Sequence, residues 1–302
     1  MEGFLMRGKL MFMAAGLVVL AWVAAPRILG QLHPDQKAAT ETAFDRVIRT
    51  GVLRCGYYVF APVTVRDPNT GTLSGLAIDL VNQLGQNAGL KVEWAEEVDF
   101  GTWPAGLSAG RFDAVCTPVW PDAALARQVI FTRPAFYAGI NAYARADDHR
   151  FDNNLAAIND PEVTIATIEG NATNFIAASQ FPKAKLLSLP QTAPSGTMAE
   201  SVVTKKADVF FWDVNGVQTF LASNPGSVRG VDPANPVKVM PFEIAVKLGE
   251  SALRDLLDVG LQGLEDVGYT NKLLTKWENY PGSFYPLHKP YVVPTDIPNR
   301  SN

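Results

Sequence analysis

The chain has 302 residues, 47% of them hydrophobic, which is enough for two apolar cores of ordinary size. Its net charge of −4 comes with no basic stripe, so nucleic acid is excluded as a partner. His33, His149 and His288 are scattered without metal-ligand spacing, and neither a nucleotide-binding glycine motif nor a hydrolase nucleophile elbow occurs, so no cofactor or metal is expected.

Arg7 and Lys9 precede an apolar run from Leu10 to Ala25 that Pro26 and Arg27 close. Residues 1–30 therefore read as an export segment, either a cleaved signal peptide or an uncleaved anchor held through residues 10–25. Either way the remainder lies outside the cytoplasmic membrane, where disulfides persist. Residues 31–44 read as a polar spacer, although helical spacing of Phe44, Val47 and Ile48 begins near Thr40 and ends at Gly51.

A strand is predicted over Val52 to Tyr58, then a turn at the DPNTG stretch Asp67 to Gly71. A helix follows over Gly75 to Ala88, with Leu80, Val81, Leu84 and Ala88 on one face and Gly89 as its stop. A second strand over Leu90 to Glu96 and a short helix over Trp103 to Ala109 lead to a third strand entered at Asp113. The scheme then repeats: strand Val163 to Ile168, helix Thr173 to Ser179, strand Lys185 to Leu189, helix Thr197 to Thr204 and strand Val209 to Trp212, entered at Asp208. Lys238 to Lys247 alternates in polarity and returns the chain to a strongly amphipathic helix over Ser251 to Val267, with a further helix over Asn271 to Asn279. Strands alternating with helices, twice over, indicate two α/β lobes with a ligand cleft at their strand ends.

Four segments, in order, resemble the bacterial extracellular solute-binding proteins of family 3, the amino-acid receptors of ABC importers. These are GLAIDLVNQL from Gly75 (with Ala77 departing from the pattern), FTRPAFY from Phe131, IEGNAT from Ile168 and EDVGYTNKLLTKW from Glu265. The resemblance covers about residues 45–279. It implies an α/β fold of the type II periplasmic-binding-protein kind, a two-lobe clamp with two crossover hinge strands near Ala138–Tyr143 and Val239–Val246. Lobe 1 would comprise residues 45–138 plus 244–279 and lobe 2 residues 144–236; residues 280–302, outside the resemblance, are rich in Pro and aromatics and read as an extended tail over the surface. The implied partners are a small amine- or amino-acid-like ligand and an ABC permease, and the protein is expected to be a monomer.

The same resemblance assigns candidate ligand contacts. Phe60 and Phe100 stand where the family stacks aromatics on its ligand, unless both rings are core. Asp213 stands where the family receives the ligand's α-ammonium; the alternative is a helix N-cap. Gly170, Asn171 and Ala172 precede a helix and present N–H groups to an anion, or else form a simple turn. Tyr57, Thr117, Trp120 and Trp212 sit at strand ends facing the expected cleft, where the two indoles are either ligand walls or ordinary packing. The family's carboxylate-gripping Arg position falls on Leu125 and its neighbouring Thr position on Trp120, with Arg127 two residues late. The carboxylate half of an amino-acid pocket thus looks dismantled while the ammonium half is kept, which suits an amine or quaternary ammonium. Cys55 and Cys116 fall on neighbouring strands of the family's first lobe; the compartment favours a disulfide, the alternative being two buried apolar side chains.

Three function classes follow. The first is a non-enzymatic exported receptor. The second is an enzyme resembling the cyclohexadienyl dehydratases, with Glu169 as the cleft acid. The third is a membrane-anchored sensing module.

Overall fold

The computed structural model describes residues 41–287 apart from Phe100, Gly101 and Asp122. The N-terminal export segment, most of the spacer, Phe100 as a stacking ring and the last fifteen residues of the tail lie outside the described residues. None of the described helices is long and apolar enough to cross a membrane.

The first helix, α1 (Ala43–Thr50), buries Val47. It starts inside the stretch read as spacer because Glu250, 207 residues away in sequence, accepts the Ala43 N–H at 2.9 Å and so caps its N-terminus. It leads to β1 (Val52–Tyr57), which pairs in parallel with both β4 (Lys91–Glu97) and β5 (Ala114–Val119). The DPNTG turn joins β2 (Val65–Arg66) to β3 (Leu73–Ser74) as an antiparallel excursion. Helix α2 (Leu76–Asn87) packs Leu76, Leu80, Val81 and Leu84 into the lobe-1 core. Gly75 before it has φ 128°, and a Cβ there would stand 2.4 Å from the Val63 carbonyl oxygen, so only glycine fits. The short helix α3 (Trp103–Ser108) follows β4.

A strand absent from the sequence reading, β6 (Val129–Phe131), precedes the first crossover strand, β7 (Phe136–Arg145). Lobe 2 then comprises β8 (Thr164–Ile168), α4 (Ala172–Gln180), β9 (Lys185–Leu189), α5 (Gly196–Val203), β10 (Val209–Asp213), α6 (Val214–Ser223) and the short β11 (Val228–Gly230). The second crossover, β12 (Lys238–Lys247), leads to α7 (Ser251–Asp266) and α8 (Tyr269–Trp277). Of the apolar stripe Leu253, Leu256, Leu257, Leu261 and Leu264, all are buried but Leu256, which is half-buried. Two residues of the tail form β13 (Phe284–Tyr285).

The strand order β4-β1-β5-β12-β7-β10-β8-β9 is hydrogen-bonded as one path among the described residues, with β6 on β12 and both β11 and β13 on β7. It divides within β12. Lys238–Phe242 pair with β7, whereas Glu243–Lys247 pair with β5 and β6. One long strand thus belongs to both lobes, as a crossover must.

The two lobes repeat a detail. Asp113 donates its N–H to the Arg54 carbonyl and accepts the Arg54 N–H on its carboxylate; Asp208 does the same with Thr164. Asp113 also pairs with Arg46 and Arg54, and Asp208 with Arg150. The Asp that enters each of the two similar strands therefore ties it to the first strand of its own lobe.

Candidate functional site

Strand registers alone place the cleft. In lobe 1 the parallel strands β1, β4 and β5 end at Tyr57, Glu97 and Val119; in lobe 2, β8, β9 and β10 end at Ile168, Leu189 and Asp213. β5 runs antiparallel to β12 with Val119 opposite Glu243. β10 runs antiparallel to β7 with Asp213 opposite Ile140, which in turn faces Lys238 of β12. Both sets of carboxyl ends therefore point at one another along β12, from levels five residues, or about 16 Å, apart. Loops beyond such ends are where α/β proteins hold ligands.

On the lobe-2 side, Asp213 is 7% exposed and caps α6, its carboxylate accepting the Gly216 N–H at 2.9 Å. Among the described residues no Lys or Arg forms a salt bridge with it. Burial raises its pKa, against the lowering effect of backbone N–H groups at the helix start. The N-cap alternative is thus met in the structure, and it leaves a buried carboxylate with no cation of its own. Trp212, half-buried, lies against Gly216, where a Cβ would stand 2.3 Å from the indole. Gly170 has φ 72°, and Asn171 caps α4 by accepting the Thr173 N–H at 3.0 Å. Asn171 is thus the cap, because the Asn side chain reaches the backbone N–H two residues on. Ala172 opens the helix, and Glu169 beside the turn is exposed.

On the lobe-1 side, Phe60 is partly buried and packs against both lobe-1 clusters; it forms a backbone bridge with Thr64. Tyr57 is buried and meets Trp94 edge-on at 6.0 Å, which makes it a core ring. Thr117 is 1% exposed, and its hydroxyl accepts the Tyr58 N–H, holding β5 to β1. Trp120 follows β5 immediately, half-buried, edge-on to Phe242 of β12 at 6.3 Å. Its Nε1 is buried without a hydrogen-bond partner. Leu125 packs on the lobe-1 core at the start of a 3₁₀ turn, and Arg127 is exposed at its end. Cys55 and Cys116 form a disulfide with Cα atoms 5.4 Å apart, beneath these strand ends.

The sequence reading missed three polar side chains near the crossovers. Asn141 of β7, opposite Trp212, and Asn215 in the first turn of α6 are buried with Oδ1 unpartnered. Glu243 of β12 is 9% exposed, and burial together with the nearby Asp258 carboxylate pushes its pKa up to about 7. For Asn141 and Glu243 a polar residue among the apolar ones of a crossover strand was the available signal; Asn215, in a helix, carried none. Among the described residues no cluster of three or more metal-ligating side chains occurs.

A family model described as bacterial extracellular solute-binding proteins, family 3, matches residues 53–280. A Haemophilus influenzae protein named a probable amino-acid ABC transporter-binding protein is 25% identical over 240 residues, covering 78% of this chain and 88% of its own. A Pseudomonas aeruginosa cyclohexadienyl dehydratase is 23% identical over 266 residues, covering 85% of this chain and 94% of its own. Among solved structures, the putative binding component of an ABC transporter from Wolinella succinogenes, complexed with lysine, superposes with a TM-score of 0.64 at 21% identity, covering 76% of this chain and 97% of that one.

Proposed function

Because the chain belongs to the bacterial extracellular solute-binding proteins of family 3, we propose that it is an exported receptor that closes its two lobes on a cationic amine and delivers it to an ABC permease. One observation carries this reading. Asp213 is a buried carboxylate that no Lys or Arg among the described residues pairs with, at the strand end that faces the other lobe. Leaving such a group unpaired is costly, and a ligand ammonium or guanidinium removes the cost. At the place where the family resemblance puts an Arg for the ligand carboxylate stands Leu125, and Arg127 is exposed beyond it. The faces of Phe60, Trp120 and Trp212 suit a cation stripped of water, each contact contributing about 0.5–2 kcal/mol. At the turn before α4 the Asn171 N–H already donates to the Ile168 carbonyl at 3.1 Å, which leaves the Gly170 and Ala172 N–H groups for an anionic or carbonyl group of the ligand.

Calorimetry on matched pairs tests this directly: lysine against cadaverine, and arginine against agmatine. Each pair differs only by the α-carboxylate. The amines are expected to bind more tightly, with small-angle scattering showing compaction on binding. Tight binding of an α-amino acid with its amine silent would overturn the pocket reading.

The Pseudomonas relative raises an enzymatic alternative. Glu169 is the cleft acid proposed for it, and its side chain is exposed to solvent. No turnover of prephenate is expected. Turnover that disappears in Glu169→Gln would establish the enzyme instead.

A further inference from the structure

The family match ends at residue 280, yet the chain continues in order to Leu287 and adds a strand to the hinge. β13 pairs with β7, Phe284 opposite Ala138 and Tyr285 opposite Tyr137. The same two β7 residues face Met240 and Pro241 of β12 on their other edge. The tail is pinned at its root. Glu278 Oε1 accepts the N–H groups of Gly282 at 2.9 Å and Ser283 at 3.2 Å, and the Ser283 hydroxyl donates to the Tyr280 carbonyl at 2.6 Å. Tyr285 lies on Gly139, whose Cβ, if present, would stand 3.1 Å from the ring.

From this strand four rings run in unbroken contact to the cleft. Phe284 meets Phe136 edge-on at 5.6 Å, Phe136 stacks on Phe242 at 4.7 Å and 18°, and Phe242 meets Trp120 edge-on at 6.3 Å. Phe136 and Phe242 belong to the two crossover strands and are buried, so neither can reorient without displacing its neighbours. Trp120 is the only half-buried ring of the four.

We propose that Phe284 is a positioning residue for Trp120: the tail strand, acting through Phe136 and Phe242, sets the orientation of the indole that walls the cleft. The binding consequence rests on the reading of Trp120 as a ligand contact; the positioning itself does not. A ring removed at Phe284 leaves a gap beside Phe136, and the relaxation passes along the stack to its only end with room to move. The tail beyond the family's span thereby becomes part of the binding apparatus.

Fluorine NMR on the full chain labelled with fluorotryptophan tests this without a ligand. Trp120→Phe assigns the resonance, and Trp94 and Trp103 serve as internal references. Phe284→Ala should shift and broaden the Trp120 signal and leave the references in place, with Phe284→Leu intermediate. An unmoved Trp120 signal overturns the proposal. If Phe284→Ala does not fold by circular dichroism, Phe284→Leu decides by the same criterion. A double-mutant cycle on cadaverine or agmatine affinity gives the binding consequence. Phe284→Ala should weaken binding about fivefold alone and negligibly in a Trp120→Ala background. Fully additive losses, as expected of a merely structural role, also overturn it. A Trp120→Ala variant that binds normally would instead remove Trp120 from the site, while the resonance shift still decides the positioning.

Discussion

Asp79 and Trp277 are bonded to each other across 198 residues of sequence: Asp79 Oδ2 accepts the Trp277 indole N–H at 2.9 Å and the Lys276 ammonium at 2.7 Å. Asp79 belongs to the GLAIDL segment and Trp277 closes the C-terminal helix, so two of the four segments that carry the family resemblance are one contact. It fastens α8 to α2, both of which pack into the lobe-1 core. Asp79→Ala should lower stability by about 1–2 kcal/mol in urea unfolding, the usual size for a charge-assisted hydrogen bond. Ligand affinity should be unchanged.

Asp213 separates structure from binding by its choice of replacement. Asn caps helices as well as Asp does, so Asp213→Asn should keep the melting temperature, whereas Asp213→Ala should lose about 1 kcal/mol with the cap. Both should weaken amine binding by more than about tenfold, since the charge is gone in each.

The same carboxyl makes binding depend on pH. Burial holds its proton on at higher pH than an ordinary Asp, and a bound cation favours the ionised form. Affinity should therefore fall as pH drops through that raised value, and binding should release a proton. Calorimetry in buffers of different ionisation enthalpy measures the release; an affinity flat from neutral to acid pH would count against Asp213 as the cation's partner.

Glu243 places a titrating group on the crossover. Its pKa rises from 4.5 to about 7, chiefly by burial and then through the Asp258 carboxylate. Asp258 is itself shifted upward by burial, while the Arg133 N–H and the Arg254 guanidinium pull it the other way. The folded form thus holds a proton that the unfolded chain gives up first. Stability on this account is undiminished below about pH 4.5, falls as pH rises from there to about 7, and stays reduced above. Glu243→Gln removes the penalty. It should raise the melting temperature at pH 8 by about 3 °C, on the order of 1 kcal/mol, and leave it unchanged at pH 4.5.

The Cys55–Cys116 bond closes a separation of 61 residues between two strands of lobe 1. Unreduced protein should offer no thiol to alkylation. Replacing both residues with Ala should lower stability by about 3 kcal/mol, mostly by freeing the unfolded chain.

The lobes, their strand order of appearance and the amphipathic helix from Ser251 could be read from periodicity, because burial on one face leaves its spacing in the residues. Asp213 was legible as a carboxylate at a strand end, and Leu125 as an apolar residue where the resemblance requires a guanidinium. What the sequence could not determine is whatever depends on pairing between distant segments. Nothing local marks Glu250 as the cap of α1 or Asp79 as the acceptor of Trp277. Nor does Val129–Phe131 declare itself a strand, since three residues have no period and exist as β6 only because β12 offers an edge. The tail from Tyr280 read as a surface wrap, and its Pro and aromatic content is consistent with one. Only the tertiary structure turned Phe284 inward, because β7 offers an edge at Tyr137–Ala138 and the Phe136 ring lies beside it. Periodicity reports which face of an element is buried; which other element buries it is decided by the fold as a whole.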